Sequence, residues 1–312
     1  MKGIKTLIKI IHIEKAINYI LSHLQMKNRP IYITAHGRSG TSWIGTIFQQ
    51  APGILFYNEP CNPKVVTGGD FSHWFRYVRP DGSDLYFESC LDHSFKGLIK
   101  CRRGWWLTEP YRRFLPGSRV VVKEVAAVLL LEWVYKRYQP EVLFVLRHPC
   151  AVALSEMNKI NREEKPIIEI LKQPSLMKDH LNPYLTVLEK AKTPFEIFGA
   201  LWGARNRVIT DLMPKYPEWK TVFYEDLCND PAKCFRELFD HFNLTWTAKV
   251  EKYICQTTTI DKPGIASTYR VLKDQINKWK RKMTPDEIEQ VRTFVEPFNL
   301  PFYNLESDWS LE

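Results

Sequence analysis

Ile31-Tyr-Ile-Thr-Ala-His-Gly-Arg-Ser-Gly-Thr-Ser-Trp-Ile-Gly-Thr-Ile-Phe48 is the stretch on which the fold turns. A short apolar run, Ile31–Ala35, predicts a buried strand, and Thr41–Gln50 predicts a helix. Between them lies Gly37-Arg38-Ser39-Gly40. Glycine lets the backbone bend sharply and come close to a ligand. The free N–H groups and the dipole at the helix start then favour an anion. Thr41 and Ser42 add hydroxyls, and Arg38 adds a permanent cation whose fork suits phosphate or sulfate oxygens.

Outward from this stretch, further runs predict strands at Ile54–Tyr57, Val120–Lys123, Val142–Leu146 and Thr221–Tyr224. Helical patterns occupy Val125–Tyr138, Ala151–Asn158, Phe195–Met213 and Pro231–Phe242. Continuous apolar strands alternating with helices predict an α/β fold, a parallel sheet flanked by helices on both faces. Ligands of such sheets bind beyond the carboxyl ends of the strands. A second anion site is expected there: Val142–Leu146 delivers Arg147, Pro149 opens a helix, and Ser155 follows eight residues after the arginine. Two such sites on one sheet imply a ligand with separated anionic groups.

The 312 residues and net charge of +9 fit one large domain with anionic partners, without choosing among nucleic acid, acidic lipid and phosphorylated small molecules. Seven scattered cysteines, with no CxxC pair, suggest a reducing, cytoplasmic setting and neither zinc nor a disulfide scaffold. An amphipathic helix is expected over about residues 3–25, either packed on the domain or lying on a membrane surface. Residues 62–117 and 161–193 read as insertions over the active face.

Arg38-Ser-Gly-Thr-Ser-Trp43 resembles the 5′-phosphosulfate loop of sulfotransferases that use PAPS (3′-phosphoadenosine 5′-phosphosulfate). The resemblance implies a P-loop-like nucleotide-binding sulfotransferase fold and, as activity, sulfuryl transfer from PAPS to a hydroxyl or amine, leaving PAP. It implies that Arg38 holds the transferring sulfonate, Ser39, Gly40, Thr41 and Ser42 the 5′-phosphate, and that Trp43 lies near the adenine. Arg147 and Ser155 resemble the 3′-phosphate motif, and Tyr224, in Tyr-Glu-Asp, the tyrosine beside the adenine. Ile276-Asn-Lys-Trp279 resembles the closing segment, where Lys273 is what survives of a phosphate-binding triplet and Arg270 is a substitute for the rest. Lys123, at a strand end, would reach the bridging oxygen.

The cytosolic branch places a histidine base two residues after that lysine, where this chain has Val125. Glu59, ending the second strand 21 residues after Arg38, stands where the tyrosylprotein branch has its catalytic glutamate, and is the expected base. Glu124 and His36 are the other candidates. In this respect the chain resembles the carbohydrate and tyrosylprotein branches. No metal is required if Lys and Arg supply the positive field. For the acceptor, Trp74, Tyr77, Trp105, Trp106 and Tyr111 alternate with Arg102, Arg103, Arg112 and Arg113, which suits a sugar, a glycolipid or a lipophilic alcohol. The rival readings are a P-loop-type kinase and a basic module binding polyanions or membrane surfaces. The kinase loop needs a lysine after its second glycine, and none follows Gly40.

Overall fold

The computed structural model describes residues 14–24, 26–66, 68–98, 110–157, 166–260, 268 and 273–310. The apolar runs become strands β1 (Ile31–Thr34), β2 (Ile54–Asn58), β3 (Arg119–Lys123), β4 (Glu141–Leu146) and β5 (Lys220–Phe223). All neighbours pair in parallel, in the order β2-β3-β1-β4-β5. Each expected strand is present, displaced by at most one residue at an end.

Alternation along the strands feeds two cores. Tyr32, Val120, Val122 and Phe144 face one, while Ile31, Ile33, Val121 and Leu143 face the other. The helices that frame the site are α1 (Thr41–Phe48), α2 (Leu85–Phe95), α3 (Leu131–Tyr138), α4 (Pro149–Met157), α5 (Pro194–Leu212), α6 (Tyr224–Asn229), α7 (Pro231–His241), α8 (Ala248–Thr259) and α9 (Pro285–Val295). Residues of α1, α6, α7 and α8 fill the second core; those of α2 to α5 and α9 fill the first. Burial on both faces is why these strands read as unbroken apolar runs.

The helix expected over Val125–Tyr138 starts later, at Leu131, after a 3-10 turn at Val128–Leu130. The amides of Val125 and Ala126 instead donate to Glu124 Oε1, each at 2.8 Å. Near the amino end, residues 14–22 are helical, and the rest of the expected 3–25 helix lies outside the described residues apart from the turn at 23–24.

After β1 the chain fills one side of the sheet with β2 and β3, then crosses to the other with β4 and β5. The crevice between β1 and β4 is therefore the switch point, where open α/β sheets bind ligands. The five strand tips present, in spatial order, Glu59, Lys123, the Arg38 loop, Arg147 and Tyr224.

The two long excursions meet each other. Gln173 Oε1 accepts from Tyr77 N at 2.8 Å, and its Nε2 donates to Phe75 O at 2.6 Å. Asp179 accepts from Arg79 Nε at 2.6 Å, Arg79 Nη2 at 2.7 Å and Tyr77 OH at 3.0 Å. Residues 71–79 are thus stitched to residues 173–179.

Candidate active site

Several of the framing helices are closed by a side chain. Thr193 and Thr284 form capping boxes for α5 and α9, Asp230 caps α7 and Thr247 caps α8. Helix α1 has no side-chain cap, and unlike the similarly uncapped α3 and α6 it starts from a left-handed glycine, Gly40 at φ 87°, with no acidic residue in the first turn. Beside it Ser39 is 1% exposed, and its Oγ has no hydrogen-bond partner. Unmet donors at an uncapped helix start suit a bound anion. A side chain at Gly40 would put a Cβ 2.4 Å from the Tyr224 ring, so glycine is required for the loop to sit against that tyrosine.

Arg38 adopts φ 69° and Glu59 φ 51°. Gln139, Asn243 and Asn299 share this left-handed region, but each ends a helical segment, where it is common. Away from helix ends it costs energy and clusters at functional sites. Both residues are held there. Arg147 Nη1 donates to Arg38 O at 2.8 Å, and Glu59 N donates to Lys123 O at 2.6 Å.

Arg147 joins the two anion loops. Its guanidinium lies over the Tyr224 ring, 4.2 Å from the centroid, and its buried Nε has no partner. Arg38 Nε donates to Ser155 Oγ at 2.8 Å, so the arginine of one loop meets the serine of the other. Trp43 is buried and edge-on to Tyr224 at 6.1 Å, with its Nε1 bound to Thr257 Oγ1 at 3.1 Å. Thr41 is buried and Ser42 half-buried in the first turn of α1. Ser39 Oγ, the first-turn amides of α1 and Arg147 Nε form a donor set that fits a ligand with two anionic groups.

At the other end of the row, the Lys123 ammonium, 2% exposed, pairs with Glu59 Oε1. Asn62 Nδ2 donates to Glu59 Oε2 at 2.9 Å. Glu124 points elsewhere: its wholly buried carboxylate accepts from the amides of Cys61, Val125 and Ala126. Burial, reinforced by the nearby Glu59 charge, pushes it up to about 7. His36 is also committed, with Nδ1 donating to Gly37 O at 2.9 Å and Nε2 lying 3.5 Å from Arg205 Nη1. Burial, then the Arg205 charge, push it down to about 3, so it stays neutral.

Sequence reading missed Arg205. It is 7% exposed, donates to Trp74 O at 2.6 Å and stacks on Phe75 at 4.8 Å. Burial lowers it only to about 10, so it remains a cation between the donor loop and residues 74–75. An arginine on the apolar face of α5 was the available signal.

The aromatic–arginine cluster divides. Trp74 and Tyr77 lie on the stitched segment, but Arg112 binds Gln49 O, at 2.8 Å, and Ala51 O, at the amino end of β2. Arg113 binds the carbonyls of Lys96, Gly97, Leu21 and Leu24. Both arginines therefore serve structure at the end remote from the anion loops. Arg102, Arg103, Trp105, Trp106, Arg270 and the Lys273 side chain lie outside the described residues.

A family profile described as "Sulfotransferase domain" matches residues 28–300. The chain belongs to the sulfotransferase family. Membership displaces the kinase and polyanion-module readings. Among curated sulfotransferases, carbohydrate sulfotransferase 2 of Mus musculus and of Homo sapiens are each 23% identical over 86% of this chain. The chain spans 63% of the length of those relatives. Among solved structures, a mouse sulfotransferase complexed with PAP matches at 15% identity, with a TM-score of 0.45 and coverage of 93% of this chain and 90% of that one. A sulfotransferase domain from the curacin biosynthetic pathway matches at 13% identity, with a TM-score of 0.47 and coverage of 86% and 98%.

Proposed function

We propose that this sulfotransferase moves a sulfuryl group from PAPS to a hydroxyl of a glycan acceptor. The supporting observation is the pair of anion loops on neighbouring strands, with Ser39 Oγ and Arg147 Nε buried and unmet. Arg38, Ser39 and the amides and hydroxyls from Gly40 to Ser42 hold the 5′-phosphosulfate. Arg147 and Ser155 hold the 3′-phosphate, and Tyr224 and Trp43 form the adenine side. The donor brings an activated S–O bond that breaks as PAP leaves; the protein's task is alignment and charge.

Lys123 places its ammonium between base and donor loop, neutralising charge on the leaving oxygen. Glu59 accepts the acceptor's proton, its carboxylate aimed by Lys123 and Asn62. Glu124, spent on three amides, anchors the Cys61 turn that follows Glu59. The glycan acceptor is supported by the names of the curated relatives and by Trp74 and Tyr77 on the stitched segment.

The test is binding followed by transfer. PAP raises the melting temperature, ATP with magnesium does not, and labelled PAPS passes its sulfate to a glycan in a screened panel. Absence of PAP stabilisation sinks the donor assignment; transfer only to non-sugar alcohols sinks the acceptor.

A further inference from the structure

The backbone around Arg147 is pinned from both sides. Its carbonyl accepts from Trp202 Nε1 at 3.1 Å, and the next amide, His148 N, donates to Glu225 Oε1 at 3.0 Å. His148 itself is 5% exposed. Its ring lies flat on Trp279, at 4.3 Å and 5°, and meets Tyr303 and Trp309 at tilted angles, each at 5.1 Å. Nε2–H donates to Asp308 O at 3.0 Å while Nδ1 accepts from Cys150 N at 3.2 Å, which requires a neutral ring.

The other wall of this cage is formed by Tyr303 and Trp309. Tyr303 OH donates to Glu225 Oε2 at 2.7 Å, and Trp309 Nε1 donates to Tyr303 O at 3.1 Å. Tyr303 also sits at φ 52°, the third left-handed residue that does not end a helix, after Arg38 and Glu59. Such a conformation persists where its surroundings over-determine it. Glu225 therefore links Tyr303 to the peptide that follows Arg147, one carboxylate oxygen to each. All of Tyr303–Trp309 lies beyond residue 300, where the family match stops.

We propose that Tyr303–Trp309 is a clamp on the second anion loop, acting through His148 and Glu225 to aim Arg147 at the donor's 3′-phosphate. The proposal rests on the donor reading above. None of Tyr303, Trp309, His148 or Glu225 needs to touch the nucleotide; they are positioning residues. A guanidinium fork repays accurate placement because its hydrogen bonds are directional. Trp279 extends the arrangement, since it stands six residues after Lys273. The same stack thereby tethers the closing segment to the Arg147 loop.

The clamp predicts a selective defect. Dissociation constants for PAP and for 5′-AMP, which lacks the 3′-phosphate, are measured by calorimetry on the full chain and on Tyr303→Phe, Trp309→Leu and His148→Phe. Each variant weakens PAP about ten-fold, the scale of a displaced charged hydrogen bond, and leaves 5′-AMP within about two-fold. If Trp309→Leu fails to fold, Tyr303→Phe, which lacks a single oxygen, carries the comparison. Equal losses for both nucleotides, or no loss in variants that melt like the parent, overturn the clamp. A parent protein that does not prefer PAP over 5′-AMP overturns the donor reading instead, before any variant is compared.

Discussion

The proposed donor side and the proposed acceptor side of the cleft are finished differently. On the proposed donor side, two buried side-chain donors have no partner, Ser39 Oγ and Arg147 Nε, and helix α1 starts without a side-chain cap. On the proposed acceptor side, the segment at 71–79 is tied by the protein's own bonds to Gln173, Asp179 and Arg205, although Arg76 Nε and Arg205 Nε are buried there without a hydrogen-bond partner. Unmet buried donors are costly unless a ligand satisfies them. On the proposed reading an anion completes the donor side, whereas the bonds to Gln173 and Asp179 hold the acceptor wall without a ligand. Glu59 and Lys123 stand between the two sides.

Glu59→Gln gives the largest break, because it removes the proposed proton acceptor while its amide oxygen can still accept from Lys123. Turnover should fall about 10³-fold, roughly 4 kcal/mol of barrier, with PAP affinity nearly unchanged. Steady-state rates beside calorimetry check this, and near-normal turnover removes Glu59 from the role. Gly40→Ala strikes the donor side alone. A methyl 2.4 Å from Tyr224, at φ +87°, should cost about 2–3 kcal/mol of PAP affinity. Unchanged binding would mean that Tyr224 yields readily and does not fix the loop. Gln173→Ala strikes the acceptor side. It frees Phe75 O and Tyr77 N, and should raise the acceptor KM about 5- to 30-fold, equivalent to about 1–2 kcal/mol, while PAP binding holds. A change in PAP affinity instead would show that the two sides are not separately built.

Acid sharpens the same contrast. His36 and His148 flank the two anion loops, and burial pushes each down to about 3. Unfolded, each binds a proton near 6.5, so its contribution is present above about pH 6.5 and lost progressively as pH falls toward 3. Glu124 has the opposite sign: raised to about 7, it lowers stability as pH rises from about 4.5 through 7. The difference isolates one group. Relative to the parent, His148→Phe should lose a slope of about 1.4 kcal/mol per pH unit between pH 4 and 6 in urea titrations. Parallel curves would show that His148 is not held neutral.

The sheet was legible because parallel strands buried on both faces announce themselves as apolar runs. Arg38 and Arg147 were legible for a related reason: Arg147 directly follows such a run and Arg38 comes three residues after one, so locating the strand locates the residue. Glu59, the proposed base, was reached by the same logic together with family resemblance. What could not be read depends on segments that are distant in sequence. Nothing near Phe75 points to Gln173, 98 residues on, and nothing near His148 points to Trp309. Arg112 and Arg113 misled for the converse reason: neighbours of Trp105 in sequence, they turn back to the amino end of β2, where carbonyls at Gln49 and Ala51 need donors.

The stitch at Gln173 and Asp179 constrains how this enzyme could be redirected. A loop transplanted at 71–79 alone would arrive without its counterpart and leave Gln173 and Asp179 facing the wrong main chain. Re-engineering for a new acceptor would have to exchange the two insertions as a matched set, and natural drift in one should be shadowed by drift in the other.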